Sequence, residues 1–275
     1  MLDIFLDAVI DTLKLIPFLF IAFLIIEFTE HKLNNKKIVS KSRRLGPIIG
    51  SLLGIFPQCG FSVLATNLYI TRIISLGTLI AVYLSTSDEM LPIMIAQRAD
   101  IKDILCLLLI KFIVGIVFGF IIDLLITKRD KVNYEICKHD HCDCNHSFIN
   151  SAIKHTFKTS LFIFAFTLFI NFIFSYGGEG YLKHIFSKNN WFTPFISGLI
   201  GLIPNCGSSI LITELYLNNL LPLGPTISGL LTGSGVALLV LFKSNPNLKE
   251  NIKIITILYG IGVFVGILFE IFKIV

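Results

Sequence analysis

The chain has 275 residues and a formal net charge of +5, with 54% hydrophobic and only 15% charged residues. A soluble domain carries about 25% charge; with Phe at 25 positions and a mean hydropathy of +0.81, this composition excludes a soluble globular domain. Most Lys and Arg residues sit in short loops between apolar runs, so the positive charge reports membrane orientation and makes no case for nucleic acid.

Apolar runs of spanning length recur along the whole chain, which predicts an all-α polytopic membrane protein. A β-barrel would alternate apolar and polar residues instead. The first run, Ile4 to Phe28, carries Asp3, Asp7 and Asp11 at its start and lacks the basic start and cleavage site of a signal peptide. It reads as a retained span. A basic loop follows, then a short apolar stretch ending at Pro57, a second short stretch at 61–72, and two long spans at about 76–97 and 103–127. After a polar loop at 128–155 the order repeats: a span at 156–176, a short stretch ending at Pro204, another at 208–220, and long spans at 222–242 and 249–273.

The chain is a duplication. A shift of 147 positions places Pro57-Gln-Cys-Gly60 on Pro204-Asn-Cys-Gly207 without a gap, and 18 of the 45 positions from Pro47 to Leu91 are identical. Ser62, Thr66 and Ser87 fall on Ser209, Thr213 and Ser234. The halves are therefore a first membrane repeat (1–127) and a second (156–275), joined by the 128–155 loop. Internal symmetry of this kind marks transporter folds.

The short stretches are half the length of a span, so each pair forms either one broken span or a re-entrant hairpin. Basic residues decide. With hairpins, Lys32, Lys36, Lys37, Lys41, Arg43, Arg44, Arg72 and Lys243 share one side with the 128–158 segment. The positive-inside rule makes that side cytoplasmic. Each half then has an odd number of full spans, so the repeats are inverted, with both termini outside and the central loop inside.

The paired tips are the main site candidates. Cys59 and Cys206 each open a second half-helix, followed by Gly60 and Gly207. A helix N-terminus favours negative charge, a thiolate or a bound anion, and thiolates suit soft metals. A single Cys at a turn is ordinarily a small apolar residue; duplication moves the reading to function. Asp88 and Glu89 lie within the 76–97 span, where acids mark ion or proton pathways, and the second half has no counterpart to them. Glu214 is the repeat partner of Asn67. Lys111 sits mid-span and calls for an acidic partner, Asp88 or Glu89. In the central loop, Cys137, His139, His141, Cys142, Cys144 and His146 gather thiol and imidazole ligands suited to a transition-metal ion, with spacing that matches no standard zinc fold.

Pro-Gln-Cys-Gly-Phe-Ser at 57–62, Ser-Thr-Ser-Asp-Glu-Met-Leu-Pro at 85–92 and Pro-Asn-Cys-Gly-Ser-Ser at 204–209 resemble a bacterial ten-transmembrane heavy-metal exporter family. Its members are labelled arsenic efflux protein or manganese transporter. The resemblance covers nearly the whole chain, including the Cys/His-rich loop, and implies five plus five segments with each hairpin arm counted. It implies a transporter of the bacterial plasma membrane.

The sequence thus predicts a secondary transporter that exports a thiophilic metal or metalloid in exchange for protons. Cys59 and Cys206 would ligate the substrate, with Asp88, Glu89 and Glu214 balancing charge and Ser62, Thr66, Asn67, Ser87, Ser209, Thr213 and Ser234 lining the path. A harder cation such as manganese would prefer the oxygens, and an organic anion the half-helix N-termini. An intramembrane enzyme lacks a nucleophile–base pair. No nucleotide-binding loop is present, and no resident cofactor is required beyond an ion at the loop. The expected partners are lipid and the metal or small anionic substrate, with a homodimer left open.

Overall fold

The computed structural model describes residues 36–125 and 192–272, with individual helical positions between 9 and 24 and between 153 and 168. Most of the two first spans, and the Cys/His cluster at 137–146, lie outside the described residues.

All described elements are helical. The first half holds α1 (Lys36–Gly54), α2 (Cys59–Ile70), α3 (Leu76–Ser85), α4 (Met90–Ala96) and α5 (Ile101–Leu125). The second holds α6 (Thr193–Gly201), α7 (Cys206–Leu217), α8 (Leu223–Thr232), α9 (Ala237–Ser244) and α10 (Leu248–Phe272). Helices α7 to α10 each start 147 positions after α2 to α5: 59 and 206, 76 and 223, 90 and 237, 101 and 248. Even irregular backbone repeats, since the equivalent residues Arg72 and Asn219 are both left-handed, with φ of 61° and 55°.

Two inverted repeats result. Helices α2 and α7 start beside each other and diverge, α2 packing on α9 and α7 on α4, while α3 meets α8 across the pseudo-two-fold. Within each repeat the middle helix packs between the hairpin arm and the long last span, α3 between α1 and α5 and α8 between α6 and α10.

Small residues permit this close packing, which in a membrane substitutes for a hydrophobic drive between helices. Gly50 of α1 faces Thr78 and Val82 of α3, and a Cβ there would lie 3.0 Å from a Val82 methyl. The second repeat sets Gly198 of α6 against Ser228 of α8, again at 3.0 Å. Outward, Leu105, Leu109, Ile113 and Val117 form an exposed i, i+4 apolar stripe on α5, as a lipid-facing surface requires.

The structure departs from the sequence reading in two places. Helix α1 begins at Lys36, inside the predicted loop, and runs through Pro47. Nothing between 36 and 45 breaks a helix, so the basic segment continues the hairpin arm. The spans at 76–97 and 222–242 are not continuous: α3 stops at Ser85 and α4 starts at Met90, and α8 stops at Thr232 with α9 starting at Ala237. In the first break Ser and Thr hydroxyls compete for backbone carbonyls, with Ser85 Oγ donating to Ala81 O and Thr86 Oγ1 to Val82 O at 2.8 and 2.7 Å. In the second, Gly233-Ser-Gly235 removes helix propensity, and Gly235 takes φ +54°.

Candidate functional site

The two hairpin tips and the first span break meet at one point. Pro57 and Pro204 end the outer arms, and the chain turns through extended Gln58 (φ −156°) and Asn205 (φ −148°) into α2 and α7. Neither side chain makes a capping hydrogen bond to the helix it precedes. Cys59 and Cys206 are the first residues of these helices, facing each other from opposite repeats. The Sγ atoms of Cys59 and Cys206 and a carboxylate oxygen of Asp88 all lie within 4.8 Å of one another. Cys206 and Asp88 are buried and Cys59 is half-buried. None of these cysteines is in a disulfide.

Asp88 reaches this point because the helix unwinds beneath it. The N–H of Ser87 donates to Gly54 O at 3.1 Å, tying the break to the end of the hairpin arm. Neither oxygen of the Asp88 carboxylate has a hydrogen-bond partner, at 4% exposure. A buried carboxylate left without donors is costly, and such groups mark places where something else binds. Opposite stands Gly235, the residue that occupies the Asp88 position in the second repeat. A Cβ on Gly235 would lie 2.5 Å from Asp88 Oδ2 and 3.6 Å from the Cys59 Cβ.

The remaining candidates divide by place. Ser234, beside Gly235, is buried with its hydroxyl unpartnered, and so is the Asn67 amide nitrogen. Ser62 Oγ donates to Cys59 O at 2.8 Å and Thr66 Oγ1 to Ser62 O at 2.7 Å, so these hydroxyls serve their own helix. Thr66 also bonds the Tyr83 hydroxyl at 2.6 Å, joining α2 to α3. Thr213 mirrors this with a 2.7 Å bond to Ser209 O. Ser87 Oγ bonds Ser85 O at 3.1 Å, and Gly60 is buried behind Cys59, with Gly207 half-buried behind Cys206. Glu89 and Glu214 are half-buried and outside the three-residue cluster.

Lys111 does not pair with an acid. Its buried ammonium, on a residue 2% exposed, donates to the carbonyls of Thr86 and of Leu230, the latter at 2.9 Å. Thr86 is the C-cap of α3, and Leu230 lies in the last turn of α8. One side chain thus serves the helix ends exposed by both breaks. Sequence reasoning expected an ion pair because it took both spans as continuous, which leaves no free carbonyl at that depth. The Gly235 contact was also missed, although its signal was available: at a shift of 147, Gly235 is the residue that falls on Asp88.

Two thiols and a carboxylate gathered within 4.8 Å offer a soft, mixed S2O donor set. Zinc–sulfur distances of about 2.3 Å set tetrahedral ligands roughly 3.8 Å apart, so the cluster needs to contract by about 1 Å at most to close on a single ion.

A family model described as "Putative, 10TM heavy-metal exporter" matches residues 1–158 and, a second time, residues 124–269. No curated protein and no solved structure matches the chain.

Proposed function

The chain belongs to this family of ten-span heavy-metal exporters, and from that premise we propose that it is a secondary-active exporter of a thiophilic metal or metalloid ion, driven by proton exchange, in the bacterial plasma membrane. The observation that carries the reading is the convergence of Cys59, Cys206 and Asp88 within 4.8 Å, with Cys206 and Asp88 buried and Cys59 half-buried between the repeats. Substrate sites of inverted-repeat transporters lie at such a junction of discontinuous helices.

Charge accounts for the coupling. With both thiols protonated, the Asp88 carboxylate and the Lys111 ammonium balance. A divalent soft cation binding two thiolates displaces two protons and leaves the site neutral again, which a low-dielectric interior favours. Loading therefore releases protons and unloading takes them up, so an inward proton gradient drives export. The carboxylate between the two helix N-termini argues against an organic anion as cargo. In this reading Glu89 and Glu214 serve the proton route. The 137–146 loop, cytoplasmic with both termini outside, gathers metal before transport.

The test is protection of a sensitive bacterial host against cadmium, arsenite and antimonite, with manganese alongside. Cys59→Ser and Cys206→Ser should each lower protection at least tenfold, since hydroxyl for thiol keeps size and removes the soft ligand. Unchanged soft-metal protection in the double Cys→Ser variant would refute the reading. Manganese efflux lost only on replacing Asp88 or Glu89 would move the substrate to a hard cation.

A further inference from the structure

The Lys111 ammonium has a place in the fold that the export reading does not explain. Lys111 and Asp88 are the charged residues among the buried side chains described, and they do not hydrogen-bond each other. The ammonium instead lies between two carbonyls from different repeats, Thr86 and Leu230, which are 144 positions apart in the chain. Both belong to helix ends that the breaks interrupt, where the helix dipole leaves partial negative charge. In transporters with broken helices, unwound carbonyls and half-helix C-terminal ends of this kind coordinate a mobile cation that is coupled to transport. The Lys111 position is not duplicated: its counterpart at a shift of 147 is Leu258, buried and apolar. One cation therefore serves a carbonyl from each repeat, at positions the duplication does not pair, since Thr86 falls on Gly233 and Leu230 on Tyr83.

We infer that Lys111 is a tethered cation, its ammonium permanently filling the carbonyl-lined position between the two helix breaks that a soluble coupling ion would otherwise occupy. It is a positioning residue. It holds the α3 and α8 ends together across the repeats and sets the positive charge that Asp88, two residues beyond Thr86, faces. Transport then needs no sodium or potassium, because the cation comes with the chain. Removing the side chain should leave a carbonyl-lined void able to take a small ammonium from solution. The inference rests on the transport reading for its rate measurement, and on the fold alone for its binding measurement.

Purified protein in liposomes loaded with a cadmium-sensitive dye provides the rate. The wild-type chain should move cadmium equally well in choline, sodium and potassium media. Lys111→Arg should keep most of the rate, and Lys111→Ala should lose at least tenfold. Ethylammonium should restore Lys111→Ala severalfold, while propan-1-ol, of similar size and uncharged, should not. In detergent, the melting temperature of Lys111→Ala should rise with ethylammonium and not with propan-1-ol. A wild-type rate that requires sodium or potassium would overturn the inference. So would a wild-type rate in Lys111→Ala, equal restoration by the alcohol, or a folded, cadmium-binding Lys111→Ala that ethylammonium neither restores nor stabilises. If Lys111→Ala fails to fold, full activity of Lys111→Gln in place of Lys111→Arg decides against the cation. A wild-type protein that moves neither cadmium nor arsenite would sink the export reading, and the melting experiment would still decide the fate of Lys111.

Discussion

Arg72 and Glu250 join the two repeats at one end of the molecule through a two-pronged ion pair, with guanidinium nitrogens 2.6 and 2.8 Å from the two carboxylate oxygens. The Tyr69 hydroxyl donates to the same carboxylate, and the Asn245 amide approaches it at 3.4 Å. Glu250 holds the Arg72 guanidinium above its ordinary pKa, so this link stays charged. At the opposite end the equivalent positions hold Asn219, Asp103, Tyr216 and Arg98, and among the described residues Asp103 makes no ion pair. The backbone is symmetric and the fastening is not.

Breaking this link should loosen one end only. Glu250→Gln and Arg72→Gln should each lower the melting temperature, and a double-mutant cycle should return a coupling of about 1–2 kcal/mol. Maleimide labelling of Cys59 should accelerate in both variants from the side on which Arg72 lies. Fully additive effects would mean that the pair contributes nothing as a pair.

Asp88→Asn should separate stability from function. The amide keeps the side-chain shape and removes a buried charge without hydrogen-bond donors, but it also takes the counter-charge from buried Lys111, so the two effects offset and the melting temperature should change little. Metal protection should fall at least tenfold, because the oxygen ligand loses its charge. An unfolded Asp88→Asn protein would assign the carboxylate to structure.

Gly235→Ala should damage the same site from the other repeat. A left-handed φ of +54° costs an L-residue about 1–2 kcal/mol, and the added Cβ would lie 2.5 Å from Asp88 Oδ2. Combining it with Asp88→Gly should recover the steric part of the lost stability and leave the backbone part. Thermal unfolding of the two variants measures the split.

The paired thiols should be directly observable. Mild oxidation should cross-link Cys59 to Cys206, whose sulfurs lie within 4.8 Å, and bound cadmium should protect them. Mass spectrometry of a digest reads both. From intact cells, an impermeant thiol reagent should leave Cys142 and Cys144 unlabelled until lysis, as a cytoplasmic loop requires.

The sequence disclosed the residues that the fold brings together in proportion to how far their signals stand apart from apolar background. Pro-x-Cys-Gly recurs at 57 and 204, and a lone acid pair in an apolar run is conspicuous, so the tips and Asp88 were legible. The span breaks were not. Ser85-Thr-Ser87 and Gly233-Ser-Gly235 are too mild to interrupt hydropathy over 76–97 or 222–242, and the first break is also tied by a tertiary contact, Ser87 N–H to Gly54 O, that no local pattern announces. Lys111 followed from the same omission. A charge was assumed to seek the opposite charge, whereas a broken helix offers carbonyls as an equally good partner.

The Asp88–Gly235 contact reaches beyond this one chain. Equivalent positions of the two halves occupy the same small volume across the pseudo-two-fold, where one side chain fits because its counterpart has none. A symmetric dimer of identical half-length subunits would have to place either two aspartates there or none. Two would collide and repel; none would leave the thiols without their acid. This site is therefore closed to identical halves, and divergence of the two repeats is a precondition of its chemistry.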